Sequence, residues 1–286
     1  SSVLSGNNAT AGGAIVSYGS LEIMNSSIEK NTAESRGGAL AIFGGTTNIS
    51  GTKTTLSDNT SKGVGGAVYV AGGNAELVGI QITGNSAASK AGGGAIYTFG
   101  GTTTLKGTTI TGNSLQDSSS IGAGLSVAGG VLDISDGEIS DIKNTISNGD
   151  NATIAISDTT QSKPGESELD VTTGLVLSGD IDGISDGIYI LSKKSFVSIK
   201  TESDKDDAKT KLFRSTTNIN ETHTKKDMKR INVYLEEGKF SANDKILQFM
   251  PNDITSSFNY IDYFNLDISS GFGLKAVVDS YNGDHA

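Results

Sequence analysis

The sequence has no Cys and no Trp, only 2 Pro, and aromatic residues make up 6% of its 286 positions. Without Cys there are no disulfide staples, no thiolate metal sites and no Cys nucleophile. With so few aromatics and 35% hydrophobic residues, the chain has little bulk to fill a broad globular core. A solenoid needs less, because its core is narrow and each repeat packs only on its neighbours. Cationic residues are also scarce. Arginine occurs only at Arg36, Arg214 and Arg230, and the formal net charge is −10. That balance argues against a phosphate-binding surface such as a nucleic-acid site, which needs clustered Lys and Arg. No run approaches the about 18 apolar residues of a membrane span, and no signal peptide is visible. The chain opens inside a repeat and ends on neither a wall-sorting motif nor a membrane anchor. It is therefore expected to be an excised or processed piece of a longer protein.

What the sequence has in quantity is glycine, 38 residues, and much of it recurs in columns. An aliphatic-x-x-Asn tetrad appears five times: Leu4 to Asn7, Ile28 to Asn31, Leu56 to Asn59, Ile82 to Asn85 and Ile110 to Asn113. A small-small-small-aliphatic tetrad follows each, beginning at Gly12, Gly37, Gly65, Gly93 and Gly122 and ending on Ile15, Leu40, Val68, Ile96 and Leu125. These tetrads start 25, 28, 28 and 29 residues apart. A third column holds Ile23, Ile49, Leu77, Leu105 and Ile134, and a fourth holds Gly19, Gly44, Gly72, Gly100 and Gly129.

Self-similarity at a fixed period is the mark of a repeat architecture. The apolar segments are too short for helices, and helix start and stop signals are absent. Three short strands per repeat follow: one from the GGA tetrad to the fourth-column glycine, one carrying the third column, and one ending at the Asn. The expected fold is all-β, a right-handed parallel β-helix with repeats of about 28 residues. Equivalent strands then stack at about 4.8 Å. Period-2 alternation sends the aliphatic columns inward. Glycine suits corners that need positive φ or close backbone approach. Asn at a turn tolerates the left-handed conformation and can hydrogen-bond along a stacked ladder.

The pairing of GGA-aliphatic with aliphatic-x-x-Asn resembles the repeat of chlamydial polymorphic membrane proteins, in which GGAI is paired with FxxN. Here Ile or Leu replaces the Phe. It is also similar to the right-handed β-helix repeats of large bacterial and archaeal surface adhesins. The resemblance covers residues 1–145. It implies a cell-surface, extracellular protein that is often an adhesin, and it brings no catalytic residue with it.

Beyond residue 145 the pattern loosens. Residues 146–200 are expected to form degenerate coils through Leu175–Leu177, Ile188–Ile190 and Phe196–Ile199. Residues 201–230, rich in Lys, Asp, Thr and Asn, are expected to be a polar excursion from the coil. Residues 231–286 are expected to continue or cap it, with strands at Ile231–Leu235, Ile246–Met250, Tyr263–Ile268 and Phe272–Val278.

Many β-helices degrade polysaccharides, yet the residues such chemistry needs are not grouped here. Asp residues do not repeat in register along residues 1–130, and the motifs N-T-D and G-H-G are missing. His223 and His285 have no assignable partner for acid–base work. Asp180, Asp182 and Asp186 around Gly183 resemble part of a Ca²⁺ loop without its full ligand set. Turn chemistry accounts for them, as it does for Asp133, Asp136 and Asp141. Neither a cofactor nor a metal site is expected. Threonine pairs such as Thr46-Thr47 and Thr102-Thr103 suggest an ice-binding array, but Ala75 and Gly79-Ile80 interrupt their register.

Two features exceed what the coil requires. One and three residues after the inward aliphatic of each GGA strand, alternation points side chains outward. Tyr18, Phe43, Tyr69, Tyr97 and Phe99 occupy those columns and would line one sheet as an exposed stripe suited to sugar stacking or protein contact, unless loops cover it. The loops between each Asn and the next tetrad also widen: 8–11, 32–36, 60–64, 86–92 and 114–121. The expected function is a non-enzymatic cell-surface adhesin or binding module for a host glycan, a glycoprotein or a neighbouring cell. The alternatives are a polysaccharide lyase or hydrolase on the same scaffold, and a passive stalk.

Overall fold

The computed structural model describes residues 1–89, 92–116, 122 and 124–140, and beyond these the strand segments 143–144, 154–156, 173–182, 188–190, 195–200, 231–235, 247–250 and 264–266. These residues form a parallel β-solenoid with three long sheets. Four columns of inward side chains explain why. Ile28, Leu56, Ile82 and Ile110 are buried behind the Asn column, Ile49, Leu77 and Leu105 form the next stack, and Leu40, Val68, Ile96 and Leu125 a third. Ile42, Val70 and Val127, two residues further along, complete the GGA strands, and Leu132, Leu175 and Leu177 extend the core past residue 130. A buried Ile or Leu is worth about 1.5–3 kcal/mol. Ordering a coil costs about 1 kcal/mol or more per residue. A single rung therefore cannot fold alone, and stability comes from stacking.

The first sheet contains nine strands, of which five are built on the GGA tetrads: Ile15–Ser17, Leu40–Ile42, Val68–Val70, Ile96–Thr98 and Leu125–Val127. All pair in parallel and in register, so Ile15, Leu40, Val68, Ile96 and Leu125 are direct neighbours. The second sheet, with twelve strands, is broader. In the early rungs it has two arms, such as Thr46–Ser50 and Thr55–Ser57, which fuse into single ten-residue strands at Thr102–Thr111, Val131–Ser140 and Thr173–Asp182. The second and third strands expected per rung thus lie in one sheet.

The third sheet lies where the widening loops were expected. Asn8–Ala11, Thr32–Arg36, Thr60–Ser61, Ser86–Ala87 and Ser114–Leu115 are strands, paired with one another in parallel. Their inward column is Ala33, Ser61, Ala87 and Leu115, all buried. The strands are short and their inward residues mostly small, so no hydrophobic alternation reveals them.

The Asn ladder forms, with one correction. Asn31, Asn59, Asn85 and Asn113 are at most 1% exposed. Each Oδ1 accepts from both the backbone N–H and the Nδ2 of the Asn one rung before it, at 2.8–3.0 Å. Each Nδ2 also donates to a carbonyl of the preceding rung: Leu4, Ile28, Leu56 and Ile82 respectively. The left-handed residue of this corner is not the Asn but the residue before it: Gly6, Lys30, Asp58, Gly84 and Gly112, with φ between 54° and 69°. The Asn keeps an ordinary backbone and uses its side chain to satisfy groups that the turn would leave buried and unpaired.

The two glycines of each tetrad do different jobs. The first, such as Gly65 with φ 65°, is left-handed. The second is a close-approach position: a Cβ on Gly66 would collide with the Gly94 carbonyl oxygen on the next rung and with the backbone of Ser86.

In the C-terminal half, Ile188–Ile190, Ile231–Leu235 and Phe264–Leu266 extend the first sheet, and Ser195–Lys200 and Leu247–Met250 extend the broad sheet, all in parallel. The polar stretch 201–230, the segment Phe272–Val278, Pro164, His223, His285, Asp141 and Asp186 lie outside the described residues. Asp180 and Asp182 fall within the strand Thr173–Asp182, and Asp136 has φ 49°, as a turn residue does.

Candidate functional site: an aromatic ladder with an embedded arginine

The outward columns of the first sheet follow from its register. Val16, Ala41, Tyr69, Tyr97 and Ser126 are successive partners. Tyr18, Phe43 and Phe99 each stand two residues further along their rungs, on the same face. The five aromatics therefore lie on one side of one sheet, as expected. Rung spacing then stacks their rings: Tyr18 on Phe43 at 5.2 Å and 15°, Tyr69 on Tyr97 at 6.0 Å and 12°, and Tyr69 with Phe99 at 6.4 Å and 28°. Phe43 and Tyr69 meet at 59°, so the ladder has a bend between its second and third rungs.

The expectation of a uniformly exposed stripe needs correction. Tyr69 is 4% and Tyr97 8% exposed, Phe43 and Phe99 are half-buried, and only Tyr18, at 75%, is open. The rings of Phe43, Tyr69, Tyr97 and Phe99 make up a second hydrophobic cluster outside the coil's core, with Ala41, Ala71, Ala128, Ala11 and Val64. Ala11 and Val64 come from the corner where the third sheet hands over to the first. They flank Arg36 in register, through the Ala11–Arg36 pair and the Arg36–Val64 bridge. The corner folds against the aromatic sheet and covers its middle. The ring faces are largely taken up by one another.

Arg36 is the residue of this face that sequence reasoning passed over. Its guanidinium carbon lies 5.1 Å from the Tyr69 ring centre and 6.0 Å from that of Phe43, filling the bend of the ladder. Its Nη1 donates to the Tyr69 hydroxyl at 3.4 Å. Cation–π attraction of this kind is worth about 0.5–2 kcal/mol. A signal was available: Arg36 is the sole Arg of the regular repeats, at a position held by Ala11 and Val64 in neighbouring rungs.

Burial raises the Tyr69 phenol above its ordinary pKa of 10.0, against a smaller opposing pull from the Arg36 charge and its hydrogen bond. Burial, with a lesser push from Tyr69, takes Tyr97 to about 12. Both phenols are neutral at physiological pH, so no phenolate cancels the charge of Arg36. The ion pair Lys62–Glu34 at 2.7 Å is exposed, and no carboxylate among the described residues pairs with Arg36. The first rung adds further apolar surface, with Val3 70%, Val16 42% and Met24 51% exposed. No group of three or more potential metal ligands occurs among the described residues. No protein-family model, no curated protein and no solved structure matches the chain.

Proposed function

We propose that the chain is a non-enzymatic binding module of a cell surface, an extracellular adhesin whose coil, right-handed by the repeat resemblance, presents an aromatic face to a glycan, a glycoprotein or a neighbouring cell. The observation that carries this reading is the Tyr18–Phe43 stack, which sets an exposed aromatic ring beside Val16 on a rigid sheet. Exposed aromatics held rigid suit sugar stacking, because little side-chain entropy is lost when a ligand lands on them. The GGA and Asn columns explain the scaffold but none of these outward side chains.

An array of neutral and acidic oligosaccharides and of surface glycoproteins tests the proposal. The protein should bind at least one class, and Tyr18→Ser should weaken that binding about tenfold, or about 1.4 kcal/mol. The exposed ring at position 18 can be removed with the fold kept. Tyr69 and Tyr97 are poorer probes, since their replacement disturbs buried packing. Binding to nothing would favour the passive stalk, and release of reducing or unsaturated sugar ends would favour polysaccharide degradation.

A further inference from the structure

We infer that the ligand of this face is an acidic oligosaccharide containing a uronic or nonulosonic acid, with Tyr18 as the stacking platform for one sugar and the Arg36 guanidinium as the receptor for the carboxylate of another. This inference rests on the glycan-binding reading above. A guanidinium carries five N–H donors in a planar fork that matches a carboxylate. The protein hydrogen bond that the Arg36 side chain makes among the described residues is the single one to Tyr69 at 3.4 Å. Arg36 is half-buried, held between Phe43 and Tyr69, and has no carboxylate partner among the described residues. Its remaining donors are therefore held in place by the flanking rings and left unused by the described residues.

Position reinforces the chemistry. Arg36 contacts the Phe43 ring, and Phe43 stacks directly on Tyr18. An exposed sugar platform and an oriented cation thus stand one ring apart. Because Phe43 stands between Tyr18 and the guanidinium, the ligand must be an oligosaccharide, with one sugar on Tyr18 and the carboxylate of a neighbouring sugar directed along the ladder to the fork. The chain's net charge of −10 would repel an anion at long range. At physiological ionic strength, however, fields are screened beyond about 8 Å, and the local contact decides. Arg, more weakly hydrated than Lys and pre-organised by its flanking rings, is well suited to that contact.

The test measures binding of the 286-residue chain to four probes: trigalacturonic acid, its methyl ester, sialyllactose and lactose. At least one acid should bind about tenfold or more tightly than its uncharged counterpart. That preference should weaken with added salt and vanish in Arg36→Gln, with Arg36→Lys intermediate because it keeps the charge and loses the fork. Which acid binds distinguishes the two sugar sources. Equal binding of acid and uncharged partner overturns the inference while leaving the glycan-binding module intact, and so does a preference that survives in Arg36→Gln. No binding to either kind on this panel or the wider array overturns both. Should Arg36→Gln fail to fold, the acid-against-ester comparison on the unaltered protein decides alone.

Discussion

Replacing Asn59 by Ala is expected to lower stability by about 3–5 kcal/mol, whereas Asn7→Ala costs about 1 kcal/mol or less. Both residues belong to the same ladder. Asn59 is fully buried and Asn7 is exposed. Loss of the Asn59 amide strips the acceptor from the backbone N–H and the Nδ2 of Asn31, and the donor from the Ile28 carbonyl. Each buried orphan costs about 1–3 kcal/mol. At Asn7, water replaces the missing groups. Urea unfolding followed by circular dichroism measures both. Similar midpoints for the two variants would mean that the ladder decorates the coil without holding it.

The second large effect is steric. Gly66→Ala is expected to cost about 3–5 kcal/mol, because its Cβ would meet the Gly94 carbonyl oxygen and the Ser86 backbone of the next rung. Neither obstacle is a side chain that can rotate away, so two rungs must separate. Gly19 is the control. Its φ is not positive and nothing lies within 4 Å of the Cβ position, so Gly19→Ala stays within about 0.5 kcal/mol of the parent. The same urea titration reads both. A Gly66→Ala variant as stable as Gly19→Ala would show that the rungs are not in such close contact.

These two residue types were also the most legible part of the sequence. Stacking repeats the same environment at every turn, so Asn31, Asn59, Asn85 and Asn113 had to be the same residue, and so did Gly13, Gly38, Gly66 and Gly94. Where the environment tolerates several residues the columns fade. The left-handed corner before the Asn is served by Gly6, Lys30, Asp58, Gly84 and Gly112, and no pattern search unites those five. The third sheet escaped notice because its strands are short and the buried inward residues Ala33, Ser61 and Ala87 are too small or polar to show a hydrophobic alternation. That omission had a consequence at the candidate site. Alternation alone puts Tyr69 and Tyr97 on the outer face, which is correct. Their burial depends on the corner carrying Ala11, Arg36 and Val64, and that corner exists only because the residues before it form a sheet. Arg36 was missed for the same reason, since a residue assigned to a loop has no fixed neighbour.

Everything proposed for this face depends on rung register, which brings Tyr18, Phe43 and Arg36 together from separate parts of the chain. Cysteine pairs measure register directly, because the native sequence contains no Cys. Glu22, Asn48 and Glu76 are exposed and are successive partners on the broad sheet. Adjacent rungs put such residues about 4.8 Å apart, within the range of about 4.4–6.8 Å between Cα atoms that a disulfide spans. Oxidation should cross-link Glu22→Cys with Asn48→Cys, and Asn48→Cys with Glu76→Cys, but leave Glu22→Cys with Glu76→Cys reduced. Rapid closure of the Glu22–Glu76 pair, or failure of both adjacent pairs, would contradict the stacked register and the binding face built on it.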